Sequence, residues 1–405
     1  MNFWKQKSTN NAVVNKLAKQ YKYKIASFSF FKSSKIYFKS FLEHYIFNKN
    51  IYEIWCILLL FKTKDVIILL EDWRCTMGKY KMASLFAGIG GIDYGFEFAG
   101  IQPIWANEID KYCAVTFTAN HKDIKLIVDD ICNIKGKNIP KVDILAGGFP
   151  CQPFSIAGYR KGFEDDRGNM FFQIMRLVDE MADNKNKPRV IFLENVKNLK
   201  THDKGHTYDV IKEKLKKHKY YVTEKVLNTC EYGNLPQNRE RIFIVGFLNK
   251  KDYENFKWPN KIALTKTIDK VVDWDAEVDK KYLYGSEKKC YKLLKENITE
   301  KNTIYQYRRV YVRANKGGVC PTLTANMGMG GHNVPLIINN KNKIRKLLPI
   351  ECLKLQGFPD DFIIPSELCD SRVYKQAGNA VSVNVVKRVA SNIKQAMEET
   401  DNENN

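Results

Sequence analysis

Three short stretches of this chain carry side chains that together could attack an aromatic ring. Gly147-Gly148-Phe149-Pro150-Cys151-Gln152-Pro153-Phe154-Ser155 follows the apolar run Val142–Ala146. Cys151 therefore sits on a loop at the carboxyl end of an expected strand, the edge at which open α/β sheets bind ligands. A neighbouring positive charge or helix start there favours the thiolate, the nucleophilic form. Taken alone, Pro-Cys-Gln fits a buried loop thiol as well. Glu194-Asn195-Val196 closes the run Val190–Leu193 and puts a carboxyl group on the same edge. Gln237-Asn238-Arg239-Glu240-Arg241 leads into the run Ile242–Phe247. Arg239 and Arg241, two residues apart, point to one side of that strand. A thiol, an acid and guanidinium groups at one sheet edge suit attack on a ring and stabilisation of the charge that develops.

A second group of residues suits a nucleoside. Phe86-Ala87-Gly88-Ile89-Gly90-Gly91 lies between an expected strand and an expected helix. Glycines at 88 and 90 let the backbone turn sharply and approach a ligand, and the helix start offers free N–H groups. The third glycine of a dinucleotide fingerprint would fall at 93, which is Asp93. Glu108, after the next strand, can accept hydrogen bonds from both ribose hydroxyls. Asp130, followed by the apolar Ile131, can meet an adenine amino group. Taken alone, each acid is more often an exposed loop carboxylate. Without a pyrophosphate loop, the set suggests S-adenosylmethionine rather than NAD.

The elements that must hold these groups follow from apolar patterning. Met82–Ala87, Pro103–Ala106, Val142–Ala146, Val190–Leu193 and Ile242–Phe247 read as strands. Ile92–Ala99, Asn169–Met181 and Tyr208–Lys217 have helical spacing between them. The alternation predicts an α/β fold with a doubly wound, mostly parallel sheet, joined to a smaller, irregular domain. The expected divisions are a basic extension over 1–76, a catalytic domain over 77–249, a polar, Lys- and Asn-rich segment over 250–338, a return to the catalytic domain over 339–397, and an acidic, frayed tail over 398–405. Regular structure resumes at Arg345–Phe358 and in a closing helix over Val381–Met397.

Residues 1–76 contain no glycine and no proline. Two readings stand: a basic helical arm, or translated upstream sequence before a start at Met77 or Met82. The second is favoured, because the catalytic pattern begins within a few residues of Met77. The most apolar run there, Trp55–Phe61, is too short to span a bilayer and meets Lys62, Lys64 and Asp65 at once. No membrane association is expected.

The net charge of +21 fits a polyanionic partner, nucleic acid foremost, and fits equally the Lys- and Asn-rich usage of an AT-rich genome. An apolar share of 44% supports a packed enzyme. The 10 cysteines form no C-x-x-C pair and match neither a zinc site nor a disulfide framework. No metal is expected, and reduced thiols point to a cytoplasmic location.

From Lys81 to Ile393 these motifs resemble those of the cytosine-C5 DNA methyltransferase family, in the family's order. They are Phe-x-Gly-x-Gly at 86–90, Pro-Cys-Gln at 150–152, Asp165-Asp166-Arg167-Gly168, Glu-Asn-Val at 194–196 and Gln-x-Arg-x-Arg at 237–241. Arg345-Lys346-Leu347-Leu348-Pro349-Ile350-Glu351-Cys352, Gln356-Gly357-Phe358-Pro359 and Gln376-Ala377-Gly378-Asn379-Ala380-Val381 complete the series. The resemblance implies the Rossmann-like fold of S-adenosylmethionine-dependent methyltransferases and the bacterial restriction-modification type. It implies Cys151 as nucleophile toward carbon 6 of a flipped cytosine, Glu194 at N3, Arg241 at O2 and Arg239 bracing the backbone nearby. The loop from Ser155 to Asp166 would close over the base, with Gly158 and Gly162 permitting it. Ala157 stands where some members carry a serine that fills the vacated space.

The same resemblance places Phe86, Gly88, Gly90, Glu108, Asp130, Ile131, Pro150, Asn379 and Val381 around S-adenosylmethionine. Ile109 stands where some members carry a tryptophan that packs on the adenine. Recognition of double-stranded DNA falls to residues 250–338, through Arg308, Arg309, Arg313 and Thr322, with Gln237 also at the DNA. Any of these arginines fits a phosphate contact as well as a guanine edge. The implied partners are DNA and a restriction endonuclease acting on the same site, with the enzyme a monomer. Rival readings are a tRNA cytosine-C5 methyltransferase, whose usual Cys-Phe-Thr tag is absent, and a DNA-binding regulator without activity, against which Cys151, Glu194 and Arg241 weigh. A nicotinamide-dependent oxidoreductase is disfavoured by Asp93.

Overall fold

In the computed structural model the chain divides into two units, residues 1–76 and 77–405. The structure describes residues 78–150, 170–329 and 333–404, all in the second unit. Cys151, the loop to Asp166 and the Asp165–Gly168 motif lie outside the described residues, as does the 1–76 extension.

Seven strands form one sheet: β1 (Lys81–Leu85), β2 (Gln102–Glu108), β3 (Lys125–Val128), β4 (Ile144–Gly147), β5 (Val190–Val196), β6 (Tyr221–Asn228) and β7 (Glu240–Phe247), in the order β3-β2-β1-β4-β5-β7-β6. The first five pair parallel with one another, and β7 runs antiparallel to both β5 and β6. The helices in chain order are α1 (Gly91–Glu97), α2 (Lys111–Asn120), α3 (Met170–Asp183), α4 (His206–Lys217) and α5 (Thr229–Tyr232). They continue with α6 (Lys250–Asn255), α7 (Tyr291–Asn297), α8 (Pro349–Gln356), α9 (Asp370–Asn379) and α10 (Val383–Glu403).

Alternate strand residues feed two separate cores, as a pleat with helices on both faces requires. Leu85, Leu145, Ile191, Leu193 and Ile244 meet α3 and α4. Met82, Ile144, Ala146, Phe192 and Phe243 meet α1 and α10. Strands buried on both faces read as apolar runs, and these were legible. The edge strands β3 and β6 were not: each has one neighbour, β3 is only four residues long, and β6 carries half-buried Thr, Glu and Lys. The expected Met82–Ala87 strand stops at Leu85, because Phe86 takes a φ of 55° and leaves the pleat.

The polar segment is more regular than expected. Five short strands, β8 (Leu283–Tyr284), β9 (Ile304–Tyr307), β10 (Val312–Asn315), β11 (Leu336–Ile338) and β12 (Ile344–Lys346), form an antiparallel sheet in the order β10-β9-β11-β12-β8. This sheet reaches past the expected boundary at 338. At the other boundary, Phe256 and Trp258 pack in the core beneath the first sheet. The tail expected to fray is helical to Glu403, because Asp401 is tied down. It accepts a hydrogen bond from Tyr80 Oη at 2.7 Å and pairs with Arg189 at 2.7 Å and Lys79 at 2.9 Å.

Candidate active site

The strand order reverses at β1, so β1 and β4 flank a topological switch point, where open α/β sheets bind ligands. In register, Gly147 lies beside Leu85 on one side and Leu193 on the other. Phe86 and Gly148, which leave the sheet after Leu85 and Gly147, therefore lie next to Glu194 near the end of β5.

On the β1 side the chain reverses through Phe86, Gly88 and Gly90, with φ of 55°, 58° and 84°. Gly90 has no substitute, since a Cβ there would stand 2.0 Å from His121 Nε2. The turn delivers the Gly88 amide to Glu108, donating to Oε2 at 2.7 Å. The Ile109 and Asp110 amides donate to Oε1 at 2.9 and 2.8 Å. Three backbone donors thus fix the nearly buried Glu108 carboxylate in place, and each oxygen keeps acceptor capacity for a diol. Open space lies above Gly88, where an added Cβ would meet nothing within 4 Å. A buried acid beside an open glycine turn fits the ribose of a nucleoside.

Asp130 caps the turn Ile131–Asn133, its Oδ1 accepting from Cys132 N at 2.9 Å. Ile131, expected beside the adenine, is 2% exposed and packs into the core. Val381 closes the turn from the far end of the chain, its Cγ1 3.1 Å from where a Cβ on Gly91 would be. Asn379, at the end of α9, is exposed.

On the β4 side a Cβ on Gly148 would lie 3.3 Å from Glu194 Oε2, so the acid leans over the loop leading to the exposed Pro150. Asn195 Nδ2 donates to the Phe149 carbonyl at 2.9 Å and ties that loop to β5. The sequence reading gave Asn195 no role, although its place beside Glu194 was the available signal. Arg241 Nε stands 3.1 Å from Glu194 Oε1. Burial pushes the Glu194 carboxyl above its ordinary range, and the Arg241 and Arg239 cations pull it back.

Arg239 points inward and is 1% exposed. Its Nη1 donates to Leu323 O at 2.7 Å, and its Nη2 to Gly378 O at 3.2 Å and Ala380 O at 2.6 Å. One guanidinium thereby joins the start of β7, the segment around Leu323 and the α9–α10 turn. Burial, with Arg241 beside it, brings its pKa down to about 9. Gly378 makes the junction possible, since a Cβ there would stand 2.1 Å from the Thr324 carbonyl carbon.

Gln237 is a correction. It was expected at the DNA, yet it is 0% exposed and its amide is committed inside. It donates to Leu355 O at 2.9 Å and Gln356 Oε1 at 3.2 Å, and accepts from Leu323 N at 3.2 Å. Thr322 is likewise engaged within the protein, its hydroxyl donating to Asn238 O at 2.7 Å. Gln237 and Cys320 form a parallel bridge, so segments 236–239 and 320–323 act as an added clasp between the two sheets. Arg308, Arg309 and Arg313 are exposed, on the β9–β10 hairpin. The sequence motif around Arg345 hid a further tie: its buried guanidinium holds both Glu351 oxygens at 2.8 Å and the Asp273 carbonyl at 2.6 Å.

Among the described residues no group of His, Cys, Asp and Glu is arranged to hold a metal ion, and no helix is long and apolar enough to cross a membrane.

The family model for C-5 cytosine-specific DNA methylase matches residues 80–395. Type II methyltransferase M.Bsp6I of Bacillus sp. (strain RFL6) is 53% identical over 321 residues, covering 78% of this chain and 99% of that protein. Type II methyltransferase M.HhaI of Haemophilus parahaemolyticus is 38% identical over 328 residues, covering 77% and 94%. Among solved structures, a mutant of DNMT2 from Spodoptera frugiperda superposes with a TM-score of 0.60 at 19% identity, covering 78% of this chain and 99% of that one. The Entamoeba histolytica methyltransferase EhMeth superposes at 0.58 with 21% identity, covering 79% and 98%. At those identities the likeness speaks for the fold alone.

Proposed function

The chain belongs to the C-5 cytosine-specific DNA methylase family, and from that membership we propose that it methylates one specific double-stranded DNA sequence through a flipped cytosine and a covalent adduct on Cys151. The observation that carries the reading is the meeting of Glu194, Arg241 and the Gly148–Pro150 loop at the switch point, one residue short of Cys151 in sequence.

Carbon 5 of cytosine is a poor nucleophile until electrons are pushed toward it. In this scheme the Cys151 thiolate bonds to carbon 6, and the electron pair of the 5,6 double bond moves toward carbon 5 and N3. Glu194, raised toward its protonated form by burial, holds a proton for N3 and so stabilises that charge. Arg241 places a cation beside the same ring, suited to the O2 oxygen. Bound S-adenosylmethionine supplies the electrophilic methyl group that carbon 5 takes. Loss of the carbon 5 proton to a base then restores the double bond and expels the thiolate. Attack comes perpendicular to the ring, so the base must leave the stack.

Phe86, Gly88, Gly90, Glu108, Asp130, Pro150, Asn379 and Val381 would hold S-adenosylmethionine, with Glu108 on the ribose. Asn195 and Arg239 act as positioning residues, fixing the loop before Cys151 and the strand that carries Arg241. Arg308, Arg309 and Arg313 face the DNA. The enzyme is read as a monomer. The relatives named Type II methyltransferases support protection of DNA against a restriction endonuclease that cuts at the same site.

Labelled methyl transfer into duplex DNA and into tRNA, with bisulfite mapping of the DNA, tests the reading. Label in DNA at the cytosine of one recurring sequence is expected. Label in tRNA alone, or none in either, would overturn it.

A further inference from the structure

Gly90 tolerates no Cβ because of one side chain, His121. That residue ends α2, where the backbone leaves the helix at φ −125° and ψ 70°. Its imidazole meets the turn before α1: Nε2, Cδ2 and Cε1 would stand 2.0, 2.5 and 3.0 Å from a Cβ on Gly90. Tyr94 of α1 and Phe117 of α2 hold the ring there, with centroids 4.3 and 4.6 Å from its own. For packing alone an apolar ring would serve, yet this one carries nitrogens.

His121 is 5% exposed, and among the described residues its Nε2 has no hydrogen-bond partner. A buried polar atom without a partner is costly, so its presence calls for a reason. Burial pushes the imidazole down to about 4, while the Gly90 and Ile89 backbone pulls it up. At neutral pH the ring is therefore uncharged, with a hydrogen on one nitrogen. Gly90 already donates to Ala87 O and accepts from Tyr94 N, both at 2.9 Å. The Ile89 carbonyl is the better acceptor for the imidazole, and the Ile89 side chain is anchored in the core that α8 and α9 share.

This is the turn whose Gly88 amide donates to Glu108. We propose that His121 is a positioning residue for S-adenosylmethionine: when the cofactor settles on the turn, Nε2–H donates to the Ile89 carbonyl and holds Gly88–Gly90 in the shape that serves Glu108. The inference rests on the S-adenosylmethionine reading above and adds a residue that touches neither cofactor nor DNA.

His121→Phe and His121→Ala in the full chain test it, with a thermal melt to show that each folds. Phenylalanine keeps a ring beside Tyr94 and Phe117 and removes the nitrogen, whereas alanine removes both. The two err in opposite directions on volume, so a loss they share belongs to the nitrogen. Calorimetry should show S-adenosylmethionine binding about ten-fold weaker in both, as loss of one buried hydrogen bond implies. In methyl transfer to duplex DNA the KM for the cofactor should rise likewise, while kcat at saturating cofactor stays within about two-fold. Wild-type affinity and KM in either folded variant would overturn the positioning role alone. A wild type that binds no S-adenosylmethionine would overturn the underlying reading and this proposal with it.

Discussion

Arg241 Nε lies 3.1 Å from Glu194 Oε1, across the antiparallel pair of β7 and β5. The contact sets the charge of the site's acid: burial raises the Glu194 carboxyl, and the two arginines limit the rise. If Glu194 must hold a proton for N3, the rate falls as pH rises through its pKa. Glu194→Gln should lower single-turnover methyl transfer by about 10²–10⁴-fold and remove that alkaline limb. Arg241→Ala should move the limb to higher pH, since a cation that favours the carboxylate is gone. An unmoved limb in both variants would dissociate Glu194 from the proton.

Asn195 should matter without touching a substrate. Asn195→Ala strips the buried Phe149 carbonyl of its donor, at a cost of about 1–3 kcal/mol in urea unfolding. Because Phe149 lies two residues before Cys151, kcat should fall while the KM for S-adenosylmethionine holds. A loss of stability with unchanged kcat would reduce Asn195 to a structural tie.

Arg239→Lys keeps a charge but not a planar fork that can reach three carbonyls. At least one buried acceptor is left unpaired, so the variant should lose about 2 kcal/mol or more. Denaturant titration measures this, and a variant as stable as wild type would remove Arg239 from its place as the junction.

Asp93 is fully buried, accepting from Ser84 Oγ at 2.7 Å. Burial pushes its carboxyl up to about 7. The folded chain thus keeps a proton that the unfolded chain releases near pH 4. The stability this supplies is complete below that pH and is lost as pH rises toward 7, by up to ~4 kcal/mol. Asp93→Asn removes the titration, so its melting temperature should gain on wild type between pH 4 and pH 8. A difference that stays constant with pH would refute the assignment.

The central strands were legible because burial on both faces leaves an unbroken apolar run, as in Ile242–Phe247. The edge strand Tyr221–Asn228 was not, since its Thr, Glu and Lys face partly to solvent. Glu194 and Arg241 could be placed on one sheet edge because strand ends converge there, whatever the intervening loops do. Side-chain direction beyond that edge was not readable. Gln237 and Arg239 turn inward toward a second segment, Cys320–Leu323, which pairs with the backbone at 236–238 and accepts from the Arg239 guanidinium. That pairing joins residues more than eighty positions apart and leaves no local pattern. The acidic tail failed for the same reason: Asp401 orders it through Tyr80 and Arg189, distant in sequence.

The covalent role of Cys151 is tested most directly with duplex DNA carrying 5-fluorocytosine at the target position. Fluorine at carbon 5 cannot depart as a proton does, so the thiolate cannot be expelled after methyl transfer. Wild type with S-adenosylmethionine should give a one-to-one protein–DNA complex that survives denaturation, carries the added methyl group and maps to the peptide holding Cys151. Cys151→Ser should give none. An active wild type that forms no such complex, or a crosslink that maps to another cysteine such as Cys230, would contradict the account.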